Sequence, residues 1–235
     1  MFDHAAVYDL LHPPGPRIAR DGPAVLAWAA GGHEVLELAC GTGAMARYLA
    51  LAGHNVTASD LAPAMVAMAR RRCADTVRVL EGDLAVPPAG PWDRILILGN
   101  SLNLLADHAA VTSALAAIRR VLAPGGQLLL QILNPRASGS AAPRLVTASG
   151  IIDGRQVVAA KSLVPQADGR LLTLSWGAAG STASESAWLL DLDHASLGAC
   201  LLSAGWASWT GHGGLDRRPF DAGSSPELVI VATVR

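Results

Sequence analysis

The densest chemistry in this chain sits where an apolar run meets a glycine-rich turn, in Val35-Leu-Glu-Leu-Ala-Cys-Gly-Thr-Gly43. Gly41 and Gly43 allow the backbone to turn tightly and a ligand to approach with no side chain in the way. Taken alone the turn is ambiguous. Gly41-Thr-Gly-Ala-Met-Ala46 fits the dinucleotide pattern G-x-G-x-x-G/A, with Asp60 nineteen residues after Gly41 for a ribose. The glycines therefore leave a nicotinamide dinucleotide and another adenosyl cofactor both open. Three carboxylates narrow the choice. Glu37 precedes the glycines, where a pyrophosphate gains nothing from an acid and a cationic amino-acid group gains a charge-assisted partner. Asp60 ends the next apolar run, placed to accept both hydroxyls of a ribose. Asp83, in Glu81-Gly-Asp-Leu-Ala, can accept a hydrogen bond from an adenine amino group. Glu37 to Asp60 and Asp60 to Asp83 are each twenty-three residues, one strand-helix unit apiece.

Those acids need strands to carry them. Val35–Leu38, Asn55–Ser59, Thr76–Leu80, Arg94–Leu98 and Gln127–Leu133 are brief, Leu-rich or β-branched and bounded by turn residues, the signature of buried strands. Helical patterns lie between them at Gly43–Ala52, Pro63–Cys73 and Asp107–Leu122. In the last, Val111, Leu115, Ile118 and Leu122 form one apolar stripe, Asp107 is an N-cap, and Ala123-Pro-Gly-Gly stops the helix. The alternation predicts a doubly wound α/β parallel sheet with ligands at the carboxyl ends of its strands. After a connection at 135–143 the rhythm changes. Arg155–Val164, Arg170–Trp176 and Ser186–Leu192 follow with no helix between them, which predicts a small antiparallel sheet within residues 144–192, inserted after strand five. A helix at Asp193–Ala204 and strands at Trp206–Thr210 and Leu228–Val234 complete a single domain over 1–235.

Composition excludes several classes of function. Hydrophobic residues are 51% and charged residues 16%, too apolar for a disordered chain. Eighteen basic against nineteen acidic residues give a net charge of −1, so no global field draws nucleic acid or an anionic membrane. Cys40, Cys73 and Cys200 are too scattered for a disulfide framework, and the seven histidines show no metal-binding spacing, so no metal is expected. The first residues, MFDHAAVYDL, lack a signal pattern, and no apolar run approaches the ~20 residues of a membrane span; a cytoplasmic protein is expected.

With VLELACGTG, SDLAPAM, EGDL, WDRILILGNSLNLL and VLAPGGQLLLQILN in place, the chain resembles the class I S-adenosylmethionine (SAM)-dependent methyltransferases over nearly its whole length. The tail AGWASWTGHGG…RPF…SPELVIVATVR is similar to the terminal hairpin of small-molecule members, with Trp206 where Phe is usual. Gly99-Asn-Ser-Leu-Asn103 is similar to the glycine N-methyltransferase-like branch. The resemblance implies a Rossmann-like seven-stranded sheet with its last strand antiparallel. It also implies cofactor contacts at Glu37, Ala39, Gly41, Gly43, Asp60, Leu61, Met65, Asp83, Leu84, Asn100 and Ser101, with S-adenosylhomocysteine as the product. Ala6–Pro14 resembles the segment that folds over the cofactor, making Tyr8 a catalytic candidate near the methyl group. Arg20, or alternatively Arg17, would hold the cofactor carboxylate. His212, in the loop between the last two strands, is a candidate general base. Arg70-Arg-Arg72 is expected to be a solvated helix end.

The activity so implied is methyl transfer to a small-molecule acceptor, an amine ahead of oxygen or carbon. An NAD(P)-dependent oxidoreductase and a SAM-binding regulator without turnover are the rivals. Residues 144–192, Tyr8 and the 211–226 loop are expected to select the acceptor, with Trp176 and Trp188 walling an apolar pocket. The insertion's other expected role is an interface between subunits of a homo-oligomer.

Overall fold

The computed structural model describes residues 4–138, 141–178 and 180–234. Two helices come first, α1 (His4–Leu11) and α2 (Pro14–Ala29). Then follow β1 (Glu34–Leu38), α3 (Ala44–Leu51), β2 (Asn55–Asp60), α4 (Pro63–Cys73), β3 (Arg78–Glu81), β4 (Trp92–Leu98), α5 (His108–Arg120) and β5 (Leu122–Leu133). The second part holds β6 (Arg144–Ile152), β7 (Arg155–Gln166), β8 (Gly169–Ala178), β9 (Ser181–Leu190), α6 (His194–Ser203), β10 (Trp209–His212) and β11 (Glu227–Thr233). Gly139 and Ser140 of the expected connection lie outside the described residues.

The main sheet has seven strands in the order β10-β11-β5-β4-β1-β2-β3. Strands β3, β2, β1, β4 and β5 are parallel, and β11 runs antiparallel between β5 and β10. Alternation along each strand divides the side chains between two cores. Leu36 and Leu38 of β1 pack with Ile95, Ile97 and the helices α5 and α6 on one face. Val35, Leu96, Leu98 and Leu129 meet α2, α3 and α4 on the other. Each fully buried Leu or Ile contributes ~1.5–3 kcal/mol, so helices on both faces are what holds the strand ends in place.

Helix α5 begins as its sequence predicts, Asp107 accepting from the Ala110 N–H at 2.8 Å. It ends two residues early, at Arg120. The Ala-Pro-Gly-Gly segment is an excursion inside β5, where Leu122 already pairs with Trp92 and the register shifts before Arg94. Helix α6 carries a full capping box between Asp193 and Ser196.

The second sheet is antiparallel, in the order β6-β7-β8-β9, four strands where three are expected. Its inner face takes Val157 and Ala159 of β7, Ile152 of β6 and Trp176 of β8, packed on Val7 and Leu11 of α1. Helix α1 is thus the layer between the added sheet and the main domain. Among the described residues no helix is long and apolar enough to cross a membrane.

Candidate functional site

Parallel strands β1, β2 and β3 bring Glu37, Asp60 and Asp83 to one edge of the sheet, in register Glu37↔Ala58 and Asp60↔Glu81. The turn after β1 runs through the left-handed region, Ala39, Gly41 and Gly43 having φ of 52°, 58° and 78°, which is strained only at Ala39. A Cβ at Gly43 would lie 2.9 Å from Ala69 Cβ and 3.0 Å from Cys73 Sγ. Gly43 therefore serves the packing of the turn on α4, whereas the open side of Gly41 faces Tyr8, 3.8 Å from the equivalent position.

Glu37 is 2% exposed, on the strand face that meets α3, and takes a hydrogen bond from the Ala46 N–H in the first turn of that helix. Its Oε2 is buried with no partner. Burial raises its pKa to about 7, against the attraction of Arg17. An unpartnered buried carboxylate oxygen beside a glycine turn suits an ammonium group and repels a pyrophosphate.

Asp60 is more engaged than a ribose ligand alone would need to be. Its Oδ2 accepts from the Gly41 N–H at 2.8 Å and its Oδ1 from the Ala62 N–H at 3.0 Å. Each oxygen keeps a second lone pair, so the carboxylate both fixes the turn and can still receive hydroxyls. Asp83 is exposed and closes a turn onto the Ala85 N–H at 2.9 Å through one oxygen, leaving the other outward. Leu61 is exposed beside Asp60, Leu84 packs on the main core, and Met65 is buried on α4.

Asn100 bonds the Leu133 N–H at 2.9 Å and so ties the end of β4 to that of β5. Asn103 reaches the Leu190 carbonyl at 2.8 Å, anchoring the added sheet. Ser101 stands between them with no side-chain bond among the described residues. Tyr8 lies over the turn, its hydroxyl pKa raised by burial against the pull of Arg17 and augmented by Asp60, Asp9 and Glu37. Cys40 and Cys73 are raised by burial as well, which keeps both thiols protonated and unreactive.

Three expectations need correcting. Arg20 is 73% exposed and already held by Asp21 through two 2.8 Å bonds, whereas Arg17 acts on both Glu37 and Tyr8. Arg17 is the arginine brought to the turn. His212 is on β10, bonded to Thr210 at 3.1 Å, and three strands from β4 in the sheet order, ~14 Å at the usual strand spacing. Arg72 is no solvated helix end: it pairs with Asp9 at 2.5 Å and bonds the Thr42 carbonyl at 2.8 Å and the Thr42 hydroxyl. Asp9 also takes the Thr42 hydroxyl at 2.7 Å. This clasp fastens α1 to the glycine turn. Its partners lie up to 63 residues apart, so no local pattern announces them.

Trp176 is 7% exposed on the inner face of the added sheet, its ring 5.5 Å from that of His4. Trp188 pairs with Leu171 on the outer face and is 44% exposed. It turns away from α1 and does not wall the same space.

Comparison with known proteins agrees with this geometry. Residues 35–126 match the family described as "Methyltransferase domain". A demethylmenaquinone methyltransferase of Thermus thermophilus is 40% identical over 114 residues, covering 46% of this chain and 50% of that protein. The chain spans about half the length of the curated relatives it matches, 43% to 50% among those compared. Among solved structures, the CcbJ methyltransferase from Streptomyces caelestis is 25% identical with a TM-score of 0.74, covering 95% of this chain and 96% of that one. Streptomyces venezuelae DesVI is 18% identical with a TM-score of 0.81, covering both chains fully at 100%. Residues 35–126 thus match a methyltransferase domain, and the sheet order with its glycine turn is the Rossmann-like fold shared with the solved methyltransferase structures. The match ends at residue 126, within the fifth strand, and the antiparallel sheet added after that strand lies outside it.

Proposed function

We propose that this protein transfers a methyl group from SAM to a small-molecule acceptor, and that the acceptor atom is an amine nitrogen. The observation that carries the first part is the orphaned Oε2 of buried Glu37 at the glycine turn. SAM, when bound, supplies a methyl group on a sulfonium with an ammonium and a carboxylate at its far end. Glu37 would receive the ammonium, Arg17 the carboxylate, Asp60 the ribose hydroxyls, and Asp83 with Leu61 the adenine. Tyr8, on the clasped α1, covers the turn and excludes water, and such alignment and exclusion supply most of what methyl transfer needs. An amine acceptor arriving deprotonated requires no general base, which accords with His212 standing apart. The nitrogen preference rests on the Gly99–Asn103 resemblance.

A nicotinamide dinucleotide is disfavoured because its pyrophosphate would face the buried Glu37 carboxylate. The outer face of the added sheet, with Leu171 and Trp188, is the surface available for contact between subunits. A cytoplasmic location accords with three cysteines that are all free. The test is incubation with SAM and a panel of amines, phenols and quinols, followed by mass spectrometry. Formation of S-adenosylhomocysteine together with a singly methylated amine is expected. Methylation confined to oxygen or carbon would overturn the amine assignment. SAM binding with no methylated product across the panel would favour a regulator.

A further inference from the structure

Lys161 is the one lysine in the chain, and it points inward. Along β7, Val157, Ala159 and Leu163 are buried on the inner face, and strand alternation puts Lys161 on that face with them. Its cross-strand neighbours, Val146 and Leu174, carry no charge. Glu185, the next residue in that row, is paired with His4 at 3.4 Å. From α1, His12 approaches, Nε2 to Nζ 3.2 Å. An ammonium can only donate, so His12 meets it as the neutral ring with a lone pair on Nε2. His12 is kept neutral by burial and by the neighbouring charges of Lys161, Arg17 and Arg20, which lower its pKa to about 4.

Burial lowers the Lys161 pKa, and the charged groups acting on it, Arg144 and Arg17, are both positive and lower it further. Among the described residues no carboxylate lies within ion-pair distance of it. A half-buried cation among other cations is unfavourable unless an anion joins it. Its position says where that anion would be. The His12 ring is 4.8 Å from the Tyr8 ring, and Tyr8 faces Gly41. Lys161 is therefore linked to the glycine turn through the rings of His12 and Tyr8, and Arg17 acts on it as it does on Glu37.

We propose that Lys161, oriented by His12, binds an anionic group of the methyl acceptor, a carboxylate or a phosphate. This rests on the methyltransferase reading and adds the acceptor's class to it. One ammonium proton is committed to His12 and two remain for the anion, whose charge offsets the repulsion from Arg17 and Arg144.

A single lysine makes the test direct, because lysine labelled with 13C and 15N gives one side-chain signal. S-adenosylhomocysteine binding is measured first by calorimetry; failure there sinks the methyltransferase reading, and this inference with it. With that ligand saturating, inorganic phosphate and acetate are titrated separately, against chloride at equal ionic strength. The expected result is a saturable shift of the Lys161 signal by phosphate or acetate and not by chloride. The anion that acts distinguishes a phosphate-bearing from a carboxylate-bearing acceptor. Lys161→Met should abolish the rise in Tm that this anion gives the complex, leave S-adenosylhomocysteine affinity within twofold, and be rescued by Lys161→Arg. A signal unmoved by both anions in a protein that binds S-adenosylhomocysteine overturns the proposal alone. So does a signal already shifted by S-adenosylhomocysteine and then insensitive to anions, since Lys161 would then serve the cofactor's own carboxylate.

Discussion

A carboxylate at Glu37 is unfavourable until a cation meets it, and that cost has a pH signature. Its pKa is raised from 4.5 to about 7, so between those values the folded protein holds a proton that the unfolded chain has released. The unliganded protein should therefore lose stability as pH rises through that window, by up to about 3 kcal/mol. Glu37→Gln should flatten this dependence in urea melts taken at several pH values. Binding an ammonium should also expel the proton, so calorimetric heats of S-adenosylhomocysteine binding near pH 6 should vary with the buffer's ionisation enthalpy. A flat pH profile in the parent protein would contradict the buried, unpartnered carboxylate. Glu37, Asp60 and Asp83 were legible in the sequence because strand-helix periodicity fixes where each acid surfaces. Arg72 was not, since its meaning depends on Asp9, 63 residues away.

Helix α1 owes its place to two unlike contacts, the Asp9–Arg72–Thr42 clasp on one side and the apolar patch against the added sheet on the other. If the clasp positions Tyr8, Arg72→Ala should speed hydrogen exchange throughout α1 and weaken S-adenosylhomocysteine binding. A double-mutant cycle with Asp9→Ala should return ~0.5–3 kcal/mol of coupling. Unchanged exchange and unchanged affinity would show that α1 is held by its apolar face alone. Neither α1 nor α2 was read as a helix from the sequence: α1 has only 8 residues before Pro13 and Pro14, and Gly15, Pro16, Gly22 and Pro23 interrupt the pattern of α2. Pro14 fits the first turn of α2, but Pro23 sits inside the helix, where tertiary packing of Val25 and Trp28 overrides propensity. Strand β6 escaped for the opposite reason: Thr147, Ala148, Ser149 and Gly150 are too small and polar to show an apolar alternation. The Pro-Gly-Gly of β5 looked like a helix stop and proved to be a kink within a strand.

At the scale of the molecule, the main sheet carries the edge proposed for the cofactor, and the added sheet packs on α1 beside it. The two tryptophans of that sheet separate its faces. Trp176→Ala should cost ~3–5 kcal/mol as a core truncation and loosen α1 with it. Trp188→Ala should stay within about 0.5 kcal/mol and leave acceptor kcat/KM unchanged, any effect appearing in sedimentation. A large fall in kcat/KM for Trp188→Ala would mean that the outer face takes part in acceptor binding after all. The parallel part of the main sheet was legible because its strands are apolar and mostly alternate with helices, whereas seven strands with the last antiparallel came from the family resemblance. Which face of the added sheet looks inward was not, because alternation defines two faces without saying which one α1 covers.

The central claim is that the glycine turn and its three acids form a site for an adenosyl amino acid and not for a dinucleotide. Thermal melting with S-adenosylhomocysteine, NAD and NADP, each at a hundredfold excess over the dissociation constant measured for S-adenosylhomocysteine, tests it most directly. S-adenosylhomocysteine should stabilise the protein by ~2.7 kcal/mol, Glu37→Ala should abolish most of that, and NAD and NADP should leave the transition where it was. Equal stabilisation by NAD, or a transition unmoved by S-adenosylhomocysteine, would contradict the account.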